Sequence, residues 1–176
     1  MNFQKCTIGS GDVIYDEKET EGCLKEIVSK ESEKDSESAK RFLYNLALNN
    51  TIDPRIDIQT NELIYDGPSI DELALVNAAS KNGFKLLEKS LEYVEIEVLG
   101  NKETFKLLAL LEFNSDRKRM SIIVKNSEGK IFCFTKGADD SVIKLLKEDD
   151  PFLEKTQKNI DQFAHEGLRT LCKKIG

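Results

Sequence analysis

The chain has 176 residues, of which 39% are hydrophobic and 33% charged, a composition that suits one soluble domain with a core of its own. Its net charge of -6 argues against non-specific binding to nucleic acid or to an anionic membrane face. Four scattered cysteines without a CxxC pair, and a single histidine, argue against a structural zinc site and favour a reducing, cytoplasmic setting.

The first third of the chain predicts two short strands, a polar stretch and a helix. Residues 3–8 and 13–15 have strand character and are separated by a Gly-Ser-Gly turn. Residues 16–40 are rich in Glu, Lys and Ser, so we expect a mobile insert or a frayed, solvated helix there. Apolar residues recur at helical spacing from Arg41 onward, and Pro54 is expected in a loop beyond that helix.

A second helix is predicted to start at a capping box. The Ser69 hydroxyl can accept a hydrogen bond from the Glu72 amide, while the Glu72 carboxylate reaches back to Ser69. Gly83 is a natural left-handed stop for this helix.

The remaining sequence predicts a meander of strands followed by two helices. Because consecutive strands with short connections pair antiparallel, we expect an α+β fold, an antiparallel multi-stranded sheet flanked by helices, as one domain over 1–176. The predicted strands are 84–87, 94–99, 105–113, 120–125 and 131–135, the predicted helices are 138–147 and 152–166, and residues 168–172 are expected to return as a last strand.

Two segments place unusual residues where a helix begins and where a strand ends. Asp71 and Glu72 lie in the first turn of a helix, where favourable interaction with the helix dipole is the ordinary explanation. Phe113 ends a strand and is followed by a cationic turn that contains Lys118. The ring is either an ordinary core residue or a face on which a base stacks, with the cations near its phosphates.

Two further segments lie near the end of the chain. Lys136 and Gly137 stand between a strand and a helix, where glycine permits close backbone approach, although the GxxxxGK[ST] spacing is absent. Arg169 is either a surface residue or a guanidinium aimed at phosphate. His165 is more simply a charge partner of a helix C-terminus than a catalyst.

In this order the four segments resemble the nucleotide-binding domain of P-type ATPases. Lys-Gly-Ala at 136–138 looks like the family's adenine-pocket motif, residues 112–121 look like the segment with its stacking phenylalanine, and Gly-Leu-Arg at 167–169 matches its arginine. The longer stretches of sequence around these motifs are similar to those of the phospholipid-transporting branch, the flippases. That branch usually has proline where this chain has Ile70.

The resemblance implies an ATP site to which six residues contribute: Glu72, Phe113, Lys118, Lys136, Gly137 and Arg169. The phenylalanine would stack on adenine, and the lysine of the Lys-Gly-Ala motif would line the pocket floor. The glutamate would contact the adenine amino group, and the glycine would let the ring lie against the backbone. The second lysine would lie near the sugar or phosphates, and the arginine would reach the phosphate tail.

The resemblance also implies that this chain is one part of a larger enzyme. The family's phosphorylated aspartate lies in an Asp-Lys-Thr-Gly-Thr segment that is absent here, so no catalytic residue and no metal ligand is assigned. The chain would present ATP, with Mg²⁺, to that aspartate on the cytoplasmic side of a membrane. The implied partners are the phosphorylation and actuator domains of the pump. A membrane domain would handle the phospholipid, and an accessory subunit is left open.

Three alternatives remain at this stage. A cation- or polyamine-transporting pump would carry the same domain, because cargo is selected in the membrane helices. An interaction domain of the same fold would have no need of intact Phe113, Lys136 and Arg169. An independent hydrolase would need a nucleophile–base pair, and His165 has no convincing serine or cysteine partner.

Overall fold

The computed structural model describes residues 1–30, 35–146 and 149–176. In this part of the chain the main sheet is antiparallel and has six strands in the spatial order β10-β9-β8-β7-β6-β5, which confirms the predicted α+β fold. In chain order the elements are β1 (Lys5–Thr7), β2 (Ile14–Asp16), α1 (Cys23–Ser29), α2 (Ser36–Leu48), β3 (Asp53–Ile56), β4 (Leu63–Asp66), α3 (Ile70–Lys81), β5 (Phe84–Lys89), β6 (Tyr93–Val98), β7 (Asn101–Asn114), β8 (Arg119–Lys125), β9 (Ile131–Gly137), α4 (Asp139–Ile143), α5 (Leu153–His165) and β10 (Cys172–Ile175).

Strands β5 to β9 form the predicted meander because their side chains alternate and their connections are short. On β6, Val94, Ile96 and Val98 are buried, and the residues between them are partly exposed. The turn between β8 and β9 is closed by Asn126, whose backbone N–H donates to the Lys130 carbonyl oxygen at 3.0 Å. This alternation directs one face of the sheet towards the helices.

Helices α2 and α3 cover that face with apolar side chains. Leu43 and Leu46 of α2 and Val76 of α3 are almost completely buried in the core. The Ser69 hydroxyl caps α3 by accepting from the Glu72 N–H at 3.3 Å, and Gly83 follows the helix with a φ of 84°. Both ends of α3 were therefore predicted from sequence.

Three buried asparagines, none of them singled out from the sequence, lie at the end of α2, and two of them bond to the sheet. Asn45, Asn49 and Asn50 are at most 1% exposed. The side-chain amide of Asn45 donates to the Thr135 carbonyl at 3.1 Å, and that of Asn49 donates to the Phe134 carbonyl at 3.2 Å. Because buried amides need such partners, these bonds hold the end of α2 in one position against β9.

The described part of the 16–40 stretch differs from the expected solvated segment. Leu24 and Ala39 are fully buried and Val28 is 7% exposed, and all three belong to the core. The average composition of residues 16–40 does not reveal this packing. Leu24 and Val28 lie one helical turn apart, and these two apolar residues are enough to bury one side of α1. Residues 31–34 lie outside the described part.

Several predicted boundaries were wrong. Pro54 is not in a loop but in β3, opposite Tyr65 of β4, in a separate two-stranded sheet that tolerates proline. The last strand spans Cys172–Ile175 rather than 168–172, because its pairing with β9 starts at Cys172 opposite Gly137.

Two helix boundaries also differ from the predictions. Helix α2 begins at Ser36, five residues before the predicted start at Arg41. Helix α4 ends at Ile143, and Lys147, the predicted end of that helix, is outside the described residues.

Replacing Leu24 by alanine tests whether α1 contributes to the core. We expect Leu24→Ala to lower the free energy of unfolding by about 2–4 kcal/mol, because it removes a fully buried side chain and leaves a cavity. Urea unfolding followed by circular dichroism measures the change. Leu91→Ala is the matched control, since Leu91 is 96% exposed and its loss should change stability by less than about 0.5 kcal/mol. Equal effects of the two variants would contradict the buried helix.

Candidate functional site

The predicted site residues meet at one end of the main sheet. Asn114, the residue after Phe113, is paired with Arg119, Arg119 with Gly137, and Gly137 with Cys172. This row crosses four strands, β7, β8, β9 and β10, at spacings of about 4.8 Å. Antiparallel pairing therefore brings together positions that are far apart in the sequence.

Glu72 and Lys136 form a buried ion pair beside this row. The Lys136 Nζ atom lies 2.7 Å from the Glu72 Oε1 atom, and the side chains are 9% and 12% exposed respectively. The other oxygen, Oε2, accepts from the Thr51 N–H at 2.9 Å and from the Thr51 hydroxyl at 2.7 Å. The carboxylate thus contacts Lys136 and Thr51 instead of reaching back to Ser69, and the reciprocal half of the predicted capping box is wrong.

The ionisation of this pair follows from its burial and its hydrogen bonds. Burial opposes the charge on Glu72, but attraction to Lys136 and the bonds from Lys136 and Thr51 outweigh it and hold the pKa of Glu72 below its usual range. Burial lowers the pKa of Lys136, and attraction to Glu72 offsets only part of that effect. At neutral pH Glu72 is therefore a carboxylate that accepts hydrogen bonds and cannot donate them.

Phe113 is displayed at the end of β7 and is not a core residue. Its side chain is 65% exposed, which excludes the alternative of an ordinary core ring. The pairing of β7 with β8 shifts between Leu111 and Asn114, so that β7 carries an extra residue there. The Arg117 guanidinium supports this bulge by donating to the Glu112 carbonyl oxygen at 2.8 Å. An exposed ring on a braced bulge provides a face for stacking.

Gly137 is required by the packing of β8 against β9. A methyl group at this position would lie 2.5 Å from the Lys118 carbonyl oxygen and 2.6 Å from the Arg119 Cβ atom. The space left by the missing side chain is therefore filled by the neighbouring strand. The expectation that this glycine lets a base lie against the backbone stays a prediction.

Two exposed cations at this end of the sheet are paired with carboxylates. The Lys118 Nζ atom lies 3.1 Å from Asp140, and the Arg169 Nε atom lies 2.9 Å from Asp71. Asp71 precedes Glu72 in the first turn of α3, so Arg169 is held beside the buried ion pair. Both cations are more than half exposed, and such pairs are weak enough to exchange partners.

Two partly buried lysines near the ion pair were not found from the sequence. Lys89 donates to the Asn50 carbonyl oxygen, and burial lowers the pKa of Lys89 to about 8. Lys173 lies opposite Lys136 in the register of β10 and β9, and its ammonium is 5.8 Å from the centre of the Phe42 ring. Burial, together with the charge of Lys136, lowers the pKa of Lys173 well below its usual range. Lysines near strand ends carry no sequence signal for burial.

Among residues 1–30, 35–146 and 149–176, no group of three or more His, Cys, Asp or Glu side chains is arranged to hold a metal ion. Within the same ranges, no helix has the length and apolar content needed to cross a membrane.

Comparison with known proteins assigns the chain to a family. The model of the family described as P-type ATPase, cytoplasmic domain N, matches residues 38–173. The chain belongs to this family. The resemblance inferred from the four sequence segments is thereby confirmed for the N domain.

Relatives of this N domain include several proteins described as phospholipid-transporting ATPases. A Schizosaccharomyces pombe protein is 37% identical over 98% of the chain, phospholipid-transporting ATPase IC of Homo sapiens is 44% identical over 76%, and phospholipid-transporting ATPase IK of Mus musculus is 32% identical over 98%. The chain covers 15%, 10% and 14% of these proteins respectively. It corresponds to a small part of each relative.

Adding a methyl group to Gly137 tests the close approach of β8 and β9. We expect Gly137→Ala to cost about 1–3 kcal/mol of unfolding free energy, because the added carbon would collide with backbone atoms that cannot turn away. Urea unfolding measures the loss. Gly176→Ala serves as the control, since no atom lies within 4 Å of the added carbon there. An unchanged stability in Gly137→Ala would show that this end of the sheet yields easily.

We expect Lys89 to make the stability of the N domain depend on pH. Its folded pKa of about 8 lies below the unfolded value of 10.5, so the unfolded chain binds more protons between these values and stability rises with pH. From about pH 7.5 to about pH 9.5 this lysine should add about 2 kcal/mol to the free energy of unfolding.

The Lys89→Met variant should lose that part of the pH dependence, as measured by urea unfolding at several pH values. Lys125→Met, at an exposed position of β8, shows what the removal of any lysine does to the curve. Parallel curves for Lys89→Met and the unaltered chain would contradict a lowered pKa for Lys89.

Proposed function

We propose that this N domain binds ATP and presents it to a phosphate-accepting aspartate elsewhere in a phospholipid-transporting P-type ATPase. The observation that carries the proposal is the combination of an exposed aromatic ring, Phe113, with a buried, ionised carboxylate, Glu72, at the same end of the sheet. One group offers a stacking face and the other a charged acceptor. Together they suit a flat base that carries an amino group.

The base is bound by stacking and by one directed hydrogen bond. Phe113 stacks on adenine, a contact worth about 1–3 kcal/mol in other base-binding proteins. Glu72 accepts from the adenine amino group, and Lys136 keeps that carboxylate charged at the floor of the pocket. Because an ionised carboxylate only accepts, a base with a carbonyl in place of the amino group sets an acceptor against the remaining acceptor position of Glu72, and such a mismatch discriminates strongly.

Cations at the same end receive the phosphates. Lys118 and Arg169 are exposed and paired with Asp140 and Asp71, and exposed ion pairs contribute little energy. Polyphosphate, with more negative charge than one carboxylate, takes over as their partner. Binding thus fixes the phosphate tail without breaking any buried contact.

Among the described residues, no group of three or more His, Cys, Asp or Glu side chains is arranged to hold Mg²⁺. We propose that the ion arrives bound to the phosphates of ATP, and no residue here is assigned to it. The chain lacks the Asp-Lys-Thr-Gly-Thr segment of the family, so it positions ATP without hydrolysing it.

The lipid-transport part of the proposal comes from the relatives. The relatives named above are described as phospholipid-transporting ATPases. Transport of phospholipid, the cytoplasmic side of a membrane as location, and the phosphorylation and actuator domains as partners are therefore proposed for the parent protein. An accessory subunit stays open.

Titration of ATP into ¹⁵N-labelled protein tests the proposed function. We expect saturable amide shifts at Glu72, Phe113, Lys136 and Gly137. We further expect Phe113→Ala to weaken binding by about fivefold to a hundredfold, because the stacking face is removed. Since Phe113 is 65% exposed, the variant should keep its stability.

Phe152→Ala is the matched control, because Phe152 is also exposed, at 46%, and lies at the start of α5. It should bind ATP as the unaltered chain does. A folded chain that shows no shifts at high ATP, or equal weakening in both variants, would remove the basis for an adenine pocket.

A further inference from the structure

The Glu72 carboxylate is bound by donors from two directions. Lys136 donates to Oε1, whereas the Thr51 hydroxyl and N–H both donate to Oε2. An ionised carboxylate offers roughly four lone-pair positions, of which these three bonds take three. The remaining acceptor position lies on Oε1.

Thr51 occupies a rigid corner between α2 and β3. It is exposed, but its neighbours Asn50 and Ile52 are at most 1% exposed. The Asn50 side chain donates to the Ala47 carbonyl at 2.8 Å and accepts from the Ile52 N–H at 3.1 Å. Lys89 binds the Asn50 carbonyl oxygen from β5. The two donors of Thr51 are therefore held in place by groups on either side.

A carboxylate held by Lys136 alone could rotate and present both oxygens to the ammonium. Thr51 prevents this, because its two bonds keep Oε2 turned away from Lys136. We propose that Thr51 is a positioning residue that aims the free acceptor of Glu72 at the amino group of adenine and so determines the specificity for that base. This inference rests on the proposed ATP binding.

The test compares ATP with inosine triphosphate, which carries a carbonyl where ATP carries the amino group. We expect Thr51→Val to weaken ATP binding by about threefold to tenfold, because the hydroxyl is lost at nearly constant shape. Binding of inosine triphosphate should change by less than about twofold. Thr51→Ser restores the hydroxyl and should restore the preference for ATP. Thr104→Val, at an exposed position of β7, is the matched control.

A spectroscopic readout separates positioning from general damage. The pKa of Glu72, measured from the ¹³C shift of its carboxyl group, should rise in Thr51→Val and return in Thr51→Ser, because the hydroxyl stabilises the charged form. In a Glu72→Gln background, Thr51→Val should no longer change the ratio of the two affinities. If Thr51→Val does not fold, the NMR signal of the Thr51 backbone amide in the unaltered chain tests the proposal instead. That signal should shift when ATP is added and should not shift when inosine triphosphate is added.

Equal weakening of both nucleotides by Thr51→Val, or an unchanged pKa of Glu72, would overturn the positioning role while leaving ATP binding intact. Equal shifts of the Thr51 amide signal with both nucleotides would also overturn the positioning role. If the unaltered chain binds neither nucleotide, the proposed function fails first and the specificity role fails with it. The two failures are distinguishable, because ATP still binds saturably when only the positioning role of Thr51 fails, whereas no saturable ATP binding is seen when the proposed function fails.

Discussion

The buried ion pair between Glu72 and Lys136 joins the helical layer to the end of the sheet. Removing two charges from water is expensive, and attraction between them repays that cost only when the remaining acceptor positions are also satisfied. Here Thr51 supplies two further donors to the carboxylate, and the asparagines of α2 hold the surrounding backbone. The position of α3 relative to β9 therefore depends on polar contacts as well as on the apolar core.

Two further lysines, Lys89 and Lys173, lie near that pair and are partly buried. Their pKa values are lowered mainly by burial of the charged form. Attraction to Lys136 and to protonated Lys89 favours an ionised Glu72. Phe113 is a second departure from simple folding rules, because a large ring is left 65% exposed at a bulge that Arg117 supports. Departures of this kind are expected where a protein binds a ligand.

Most of the fold could be predicted because its signals are local. Alternation of apolar residues predicted β6, the Ser69 cap and Gly83 predicted α3, and the meander followed from short connections. The failures were equally physical. Composition averaged over 16–40 concealed Leu24 and Val28, and Pro54 is compatible with a strand because it lies in a two-stranded sheet rather than the main one.

By itself, the sequence determined the class of fold, the family resemblance and the six candidate residues of the site, because motifs and periodicity are properties of short segments. Only the tertiary structure decided that Glu72 pairs with Lys136 rather than with Ser69, and that Thr51 completes the carboxylate's partners. It also decided that Lys89 and Lys173 are partly buried beside them. The physical reason is that Glu72 and Lys136 are 64 residues apart, and such contacts arise only when the packed sheet and helices bring their strand and helix ends together.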